Sequence, residues 1–177
     1  MNLSQGANGQ RLDPRVHSRI DTGVVSNCCC AEPDVATKAA CPSCRQPAPR
    51  VEATTVKALL TPGALARLQL AGFYFCPSEG CDTVYFSDAG QVFQLADVIV
   101  QVWHKQPVGD RTFCYCFGEN ETAMQAELES SGRIAAIERV RHHIAERRCA
   151  CDIRNPRGVC CLGDLSAAVR ELLQGQS

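Results

Sequence analysis

The segment Phe73-Tyr-Phe-Cys76-Pro-Ser-Glu-Gly-Cys81-Asp-Thr-Val-Tyr-Phe86 carries most of the information on how the first half of this chain folds. Both of its ends are runs of aromatic and β-branched residues, which favour β-strands. The Pro-Ser-Glu-Gly stretch between them is typical of a turn. We therefore predict two paired strands, with one cysteine on each side of the turn.

The residues around this segment extend the prediction to a small domain made mainly of strands, over residues 41–105. Residues 51–56 are rich in β-branched side chains and predict a further strand. Thr61-Pro62-Gly63 is a helix start signal for a short helix over residues 64–70. Residues 91–103 predict one or two more strands, and His104 is placed in this strand region.

Beyond a linker at residues 106–110, the hydrophobic period changes from two to about 3.6, which indicates helices. We predict one helix over residues 119–130 that stops at Gly132, a second ending near Arg147, and a last one over residues 162–173. His142 and His143 are expected on an exposed helix face. The fold class is therefore α+β, with a helical domain at residues 106–177 after the β domain.

Composition limits the classes of protein to which the chain can belong. It has 177 residues, of which 45% are apolar and 21% charged, as in a globular protein. The formal net charge of −1 gives no electrostatic reason to expect a nucleic acid partner. No stretch approaches the roughly 20 apolar residues of a membrane helix, and the first residues lack the apolar core of a secretion signal. We therefore expect a cytoplasmic protein with no membrane partner.

Thirteen cysteines are the most informative feature of the composition. The count is odd for a closed set of disulfides, and in the reducing cytoplasm clustered cysteines bind metals more often than they pair. Residues 1–40 are polar and without periodicity, which predicts a mobile tail that carries Cys28, Cys29 and Cys30. These three thiols suit a soft ion such as Cu(I), or else are exposed thiols without a dedicated ligand.

The first group of cysteines has the spacing of a structural zinc site. Cys41-Pro-Ser-Cys44 and Cys76-Pro-Ser-Glu-Gly-Cys81 are two short loops, and each can point two sulfurs at one ion, so that both complete a tetrahedron of about 2.3 Å bonds. The alternative is that reduced cysteines pack as small apolar residues. A domain of about 60 residues with few large aliphatic side chains needs a staple. We therefore predict a structural Zn²⁺ bound by Cys41, Cys44, Cys76 and Cys81.

The second group consists of six thiols on either side of the predicted helices. A pair spaced as in Cys114-Tyr-Cys116 is tight for one tetrahedral zinc but common in a bridged diiron unit, for which thiolates are the usual ligands. The sequence therefore predicts a [2Fe-2S] cluster held by four of the six: Cys114, Cys116, Cys149, Cys151, Cys160 and Cys161. Four nearby arginines can offset the cluster charge or form a solvated basic helix end, namely Arg147, Arg148, Arg154 and Arg157.

Several of these segments together resemble the amino-terminal domain of CopZ-type copper chaperones, over about residues 41 to 173. The resemblance is carried by the two cysteine loops with their flanking strands, by Cys114-Tyr-Cys116-Phe, and by Asn155-Pro-Arg-Gly-Val-Cys160-Cys161-Leu-Gly. It implies a second half with the fold of bacterioferritin-associated ferredoxin, one mononuclear zinc and one [2Fe-2S] cluster. By position it implies Cys114, Cys116, Cys151 and Cys161 as the cluster ligands.

The family role implied by the resemblance is copper handling, with the cluster as an electron source. The full chaperone adds a domain with a Met-x-Cys-x-x-Cys loop, a pattern that does not occur in these 177 residues, so the resemblance extends to the redox half. Cys161 is expected at the amino end of the last helix, where the helix dipole favours a thiolate. Cys160 is expected to point away from the site.

We weigh three hypotheses of function. The first is a non-enzymatic one-electron carrier that supports copper or other soft-metal handling, with a redox partner protein and a metal transport protein as partners. The second fills both sites with zinc and makes the protein an adaptor without redox activity. The third makes Cys160 a catalytic nucleophile, but no Cys-His-acid arrangement is recognisable in the sequence. We favour the first.

Overall fold

The computed structural model describes residues 38–175, and the predicted thiol triplet Cys28, Cys29 and Cys30 lies outside them. Within residues 38–105 the structure has one five-stranded antiparallel sheet, in which the strands follow their order in the chain. Its strands are β1 (Lys38–Ala40), β2 (Pro47–Val51), β3 (Phe73–Phe75), β4 (Thr83–Ser87) and β5 (Val92–Gln94). Strand β1 falls inside the predicted tail, so that regular structure begins before residue 41.

The predicted hairpin at residues 73–86 is confirmed. Strands β3 and β4 pair with Tyr74 opposite Phe86 and Phe75 opposite Tyr85. Because side chains alternate along a strand, Phe73 and Phe75 enter the main core of this half, whereas Tyr74 packs against the other cluster, which contains the cysteines. One face of the sheet therefore supports the core and the other supports the thiols.

The predicted strand at residues 51–56 is wrong beyond Val51. Strand β2 ends there, and helix α1 occupies Ala53–Leu59. Val56 and Leu59, on one side of this helix, are buried, so tertiary packing overrides the β propensity of the two threonines and the valine.

The predicted capping signal before residue 64 is confirmed. The Oγ1 of Thr61 accepts a hydrogen bond from the N–H of Ala64 at 3.3 Å, and helix α2 spans Pro62–Ala66, so it ends earlier than predicted. The region 91–103 contains only β5, followed by two short 3-10 helices at Leu95–Asp97 and Trp103–Lys105. His104 therefore lies in a helical turn and not in a strand.

The second half contains a two-stranded ribbon and four helices. They are β6 (Thr112–Cys114), β7 (Glu119–Asn120), α3 (Glu121–Ser131), α4 (Ala136–Ala145), α5 (Cys151–Arg154) and α6 (Leu162–Gln174). Gly132 ends α3 with a φ of 72°, as predicted. Phe113, Met124, Val140 and Leu165 form the centre of this core. No helix in residues 38–175 combines the length and the apolar character needed to cross a membrane.

The two halves are packed against each other through α1 and α5. The Oγ1 of Thr55 in α1 donates a hydrogen bond to the carbonyl of Asp152 in α5 at 2.6 Å. The hydroxyl of Tyr85 in β4 donates to the carbonyl of Pro156 at 2.8 Å in a buried position. The two halves on either side of the linker are therefore in direct contact.

Candidate metal centres

The structure brings together the four cysteines of the first predicted group. Their sulfur atoms all lie within 4.8 Å of one another, and the sulfurs of Cys44 and Cys76 are 3.6 Å apart. A tetrahedron with bonds of about 2.3 Å places its sulfurs about 3.8 Å apart. Cys41, Cys76 and Cys81 are buried and Cys44 is partly exposed. The donor set, its spacing and its burial fit one zinc ion.

Backbone hydrogen bonds shape the first cysteine loop. The N–H of Cys41 donates to the carbonyl of Gln46 at 3.0 Å, and the N–H of Arg45 donates to the carbonyl of Cys41 at 2.9 Å. Arg45 has a φ of 64°, in the left-handed region that a tight turn requires. This turn directs the two sulfurs of the loop to the same side.

The second loop is fixed by the adjacent strand and by one lysine. The N–H of Cys76 donates to the carbonyl of Val84 in β4 at 2.9 Å. The Nζ of Lys105 donates to the carbonyls of Ser78 and Cys81, at 2.8 and 2.6 Å. Sequence reasoning missed Lys105, because its position outside both loops gives no signal of this contact.

Two thiols of this group have pKa values displaced in opposite directions. A hydrogen bond with the Ser78 hydroxyl, 3.3 Å from the sulfur, lowers the pKa of Cys44 to about 6. Burial raises the pKa of Cys76 to about 12. Since a metal binds the thiolate form, binding at this set must release protons.

The second predicted group also converges. Cys114 ends β6, Cys116 lies in the turn that follows, Cys151 begins α5, and Cys161 is the N-cap residue of α6. The sulfurs of Cys116 and Cys151 are 3.8 Å apart, and the thiol of Cys161 contacts those of Cys114 and Cys151. Within the described part of the chain, this set does not close to 4.8 Å as the first set does. Its sulfurs therefore do not all lie as close together as those of a site for one tetrahedral ion.

Hydrogen bonds among the thiols of the second group displace their pKa values. A hydrogen bond from Cys114 lowers the pKa of Cys161 to about 4, and one from Cys151 lowers the pKa of Cys116 to about 7. The same bonds raise the pKa values of Cys114 and Cys151. The N–H of Ala150 also donates to the sulfur of Cys116 at 3.3 Å. Such a bond stabilises negative charge on a sulfur ligand.

The prediction that Cys160 points away from this group is wrong. Its thiol contacts that of Cys151, so contacts alone do not separate it from Cys161. Burial distinguishes the two residues, since Cys161 is 2% exposed and Cys160 is partly exposed. Cys149 is buried as well.

The loops that carry the second group are held by two polar side chains. The hydroxyl of Tyr115 donates to the carbonyl of Gln101 at 2.7 Å and accepts from the N–H of Trp103 at 2.9 Å. Asn155, which is 2% exposed, bridges the segment between Cys151 and Cys161. Sequence reasoning found the turn at Asn155 but missed Tyr115.

Of the four predicted arginines, two interact closely with the site or its loop. Arg157 forms an ion pair with Asp164 at 2.7 Å, and the charge of Arg154 adds a small contribution to the hydrogen bonds from Cys151 and Ala150 that lower the pKa of Cys116. Arg148 pairs with Glu146, and Arg147 is exposed. The positive charge is therefore partly neutralised by carboxylates.

None of the histidines near these groups joins a candidate site in the described residues. His104 stacks on Trp103 with ring centres 3.7 Å apart, and burial lowers its pKa to about 3, which keeps it neutral. His143 stacks on Phe117 at 4.0 Å. His142 lies 3.3 Å from the carboxylate of Glu146 on the surface.

Comparison with known proteins agrees with this geometry. Residues 38–99 match the family described as a zinc binding domain, of CopZ type. The copper chaperone CopZ of Archaeoglobus fulgidus is 31% identical over 121 residues, which are 68% of this chain and 57% of that protein. The chain thus spans little more than half the length of this curated relative.

The fold is also similar to a solved structure. The X-ray structure of the CopZ amino-terminal domain from Archaeoglobus fulgidus matches with a TM-score of 0.59 and 29% identity. The match covers 73% of this chain and 96% of that domain. The antiparallel sheet and helices therefore resemble those of this domain, and residues 38–99, which match the CopZ-type zinc binding domain, contain a four-cysteine site.

Proposed function

We propose that the chain is a two-centre metal protein that transfers single electrons in support of copper or other soft-metal handling. Zn²⁺ is held by Cys41, Cys44, Cys76 and Cys81. A [2Fe-2S] cluster is held by Cys114, Cys116, Cys151 and Cys161. The observation that carries the proposal is the presence of a second group of thiols in contact, separate from the closed four-cysteine set.

The zinc centre has a structural role in this proposal. Three of its four cysteines are buried, and they pack with Tyr74 and Phe86 as a cluster of their own. Zinc does not change oxidation state, and a closed four-cysteine site has no open position for a substrate. The contribution of the zinc is therefore folding free energy for a small domain.

The environment of the second group supports a redox role. One of its sulfurs accepts a backbone hydrogen bond and lies near a positive charge, and both features favour an anionic cluster and tune its potential. When bound, the cluster supplies one-electron chemistry. Cys116 is partly exposed, which leaves one side of the centre close to the surface, where a redox partner can approach.

The proposed partners are suggested by the similarity to CopZ of Archaeoglobus fulgidus. That relative is a copper chaperone, of which this chain matches 57%. We propose that this chain serves a copper or soft-metal transport protein together with a redox partner protein. We assign it no catalytic residue.

The test is the metal content of protein purified without oxygen. We expect about one zinc, two iron and two sulfide per chain, with the absorption bands of a [2Fe-2S] cluster that bleach on reduction. Cys116→Ser and Cys151→Ser should lose or strongly alter the bands, whereas Cys149→Ser is the matched control and should keep them. A colourless protein with two zinc ions per chain would favour the zinc-only adaptor and reject the redox function.

A further inference from the structure

Three consecutive residues of β4 connect the two thiol groups. The hydroxyl of Thr83 lies 2.8 Å from that of Ser43, inside the first cysteine loop. The carbonyl of Val84 accepts the N–H of Cys76 in the second loop. The next residue, Tyr85, donates its hydroxyl hydrogen to the carbonyl of Pro156. One short strand therefore touches both zinc loops and the segment between Cys151 and Cys161.

A second contact fixes the same segment from α1. Thr55 is 1% exposed, and its hydroxyl donates to the carbonyl of Asp152 at 2.6 Å. Gly158 lies so close to α1 that a Cβ built on it would be 2.7 Å from the Oγ1 of Thr55. The segment 152–158 thus lies directly against the first half of the chain.

This segment contains little regular secondary structure, and its internal hydrogen bonds are those of short turns. Helix α5 has only 4 residues, and helices that short are not stable by themselves. Two of its carbonyl oxygens, on Asp152 and Pro156, are bonded by hydroxyls from the other half of the chain. Tyr85 is 0% exposed, so water cannot easily replace its bond.

From these contacts we infer that Tyr85 and Thr55 are positioning residues for Cys151 and Cys161, and that β4 couples zinc binding to the geometry of the second thiol group. The role assigned to this geometry rests on the proposed function, but the coupling does not. Coupling between two sites is reciprocal. Loading the second group should therefore strengthen zinc binding, and removing zinc should loosen the segment 151–161.

The first test is hydrogen exchange on the full chain with zinc bound and no iron. Tyr85→Phe keeps the ring and removes one buried hydrogen bond, so amides in residues 151–161 should exchange about tenfold faster. Tyr74→Phe also removes a single hydroxyl, from a partly buried residue on the other face of the sheet, and should leave those amides within about twofold of the wild type. Thr55→Val should act like Tyr85→Phe, and Thr55→Ser, which keeps the hydroxyl, should restore protection.

The second test uses the iron-loaded protein. Tyr85→Phe and Thr55→Val should shift the midpoint potential and the electron paramagnetic resonance spectrum of the reduced cluster, whereas Tyr74→Phe should not. A change in global stability alone would not alter the midpoint potential or the spectrum.

The outcomes separate the coupling from the proposed function. Unchanged exchange of residues 151–161 in both Tyr85→Phe and Thr55→Val would overturn the coupling. A wild-type chain that binds no iron would end the iron-sulfur proposal, yet the exchange of residues 151–161, compared between the variants and with and without zinc, would still decide whether β4 couples the two groups.

Discussion

The side chain of Asn155 closes the turn between Cys151 and Cys161, so its removal should destabilise the protein more than an ordinary surface change. Its Nδ2 donates to the carbonyl of Val159 at 2.8 Å, and its Oδ1 accepts the N–H of Arg157 at 3.1 Å. Asn155→Ala leaves both backbone groups without these partners. An unsatisfied buried group costs about 1–3 kcal/mol. Because Val159 and Arg157 are only partly buried, we expect a total loss of about 2–4 kcal/mol.

The assay is urea unfolding of the zinc-loaded chain, followed by circular dichroism and by the fluorescence of its single tryptophan, Trp103. The matched control is Asn120→Ala, which removes the N-cap bond to Ala123 at the start of α3. Loss of an exposed cap costs about 1 kcal/mol. If Asn155→Ala loses no more free energy of unfolding than Asn120→Ala, the turn does not hold the loop as argued.

Three further predictions concern single contacts. Hydrogen bonds from Arg111 lower the pKa of Glu121 below its ordinary value of 4.5, so the ionised carboxylate stabilises the fold above pH 4.5. The difference in free energy of unfolding between the wild type and Glu121→Gln should therefore shrink as the pH falls below 4.5. A difference in urea unfolding that stays constant with pH would contradict this. Gly158→Ala should destabilise the fold by at least about 1 kcal/mol more than Gly132→Ala in thermal unfolding. Both glycines have a positive φ, but only at Gly158 would the added Cβ collide with a neighbour, the Oγ1 of Thr55. Equal losses of stability would argue against this close approach. Lys105→Met should weaken zinc binding about tenfold in competition with a chelator. The control is Lys57→Met, at an exposed lysine, which should leave zinc binding unchanged. Equal zinc affinities of the two variants would mean that Lys105 does not hold the zinc loop.

Local sequence signals predicted the features that depend on neighbouring residues. The hairpin at residues 73–86, the stop of α3 at Gly132 and the start of α6 after Cys161 all appear in the structure. Each depends on the conformational preferences of a few consecutive residues, which the sequence states directly. The short spacings Cys41 to Cys44 and Cys76 to Cys81 likewise predicted two pairs of sulfurs facing one point, and their four sulfurs do lie together.

Signals that depended on composition over a few residues were less reliable. The β-branched residues 54–56 favoured a strand, yet they belong to α1, because Val56 and Leu59 are buried on one side of a helix. The sequence predicts a helix from residue 119, but residues 119 and 120 pair with Cys114 and Thr112 as β7 before α3 begins. In both places the partner that decided the conformation lies elsewhere in the fold.

The sequence by itself determined the thiol chemistry of this chain, since the residue types and their short spacings limit what the loops can bind. Only the tertiary structure decided how the two groups are held relative to each other. The contacts of Tyr85 with Pro156, Thr55 with Asp152, and Lys105 with the zinc loop join residues 71, 97 and 24 to 27 positions apart. The same long-range packing also brought Cys160 against Cys151. No local pattern records such contacts, because they form only when separate elements bury their surfaces against each other.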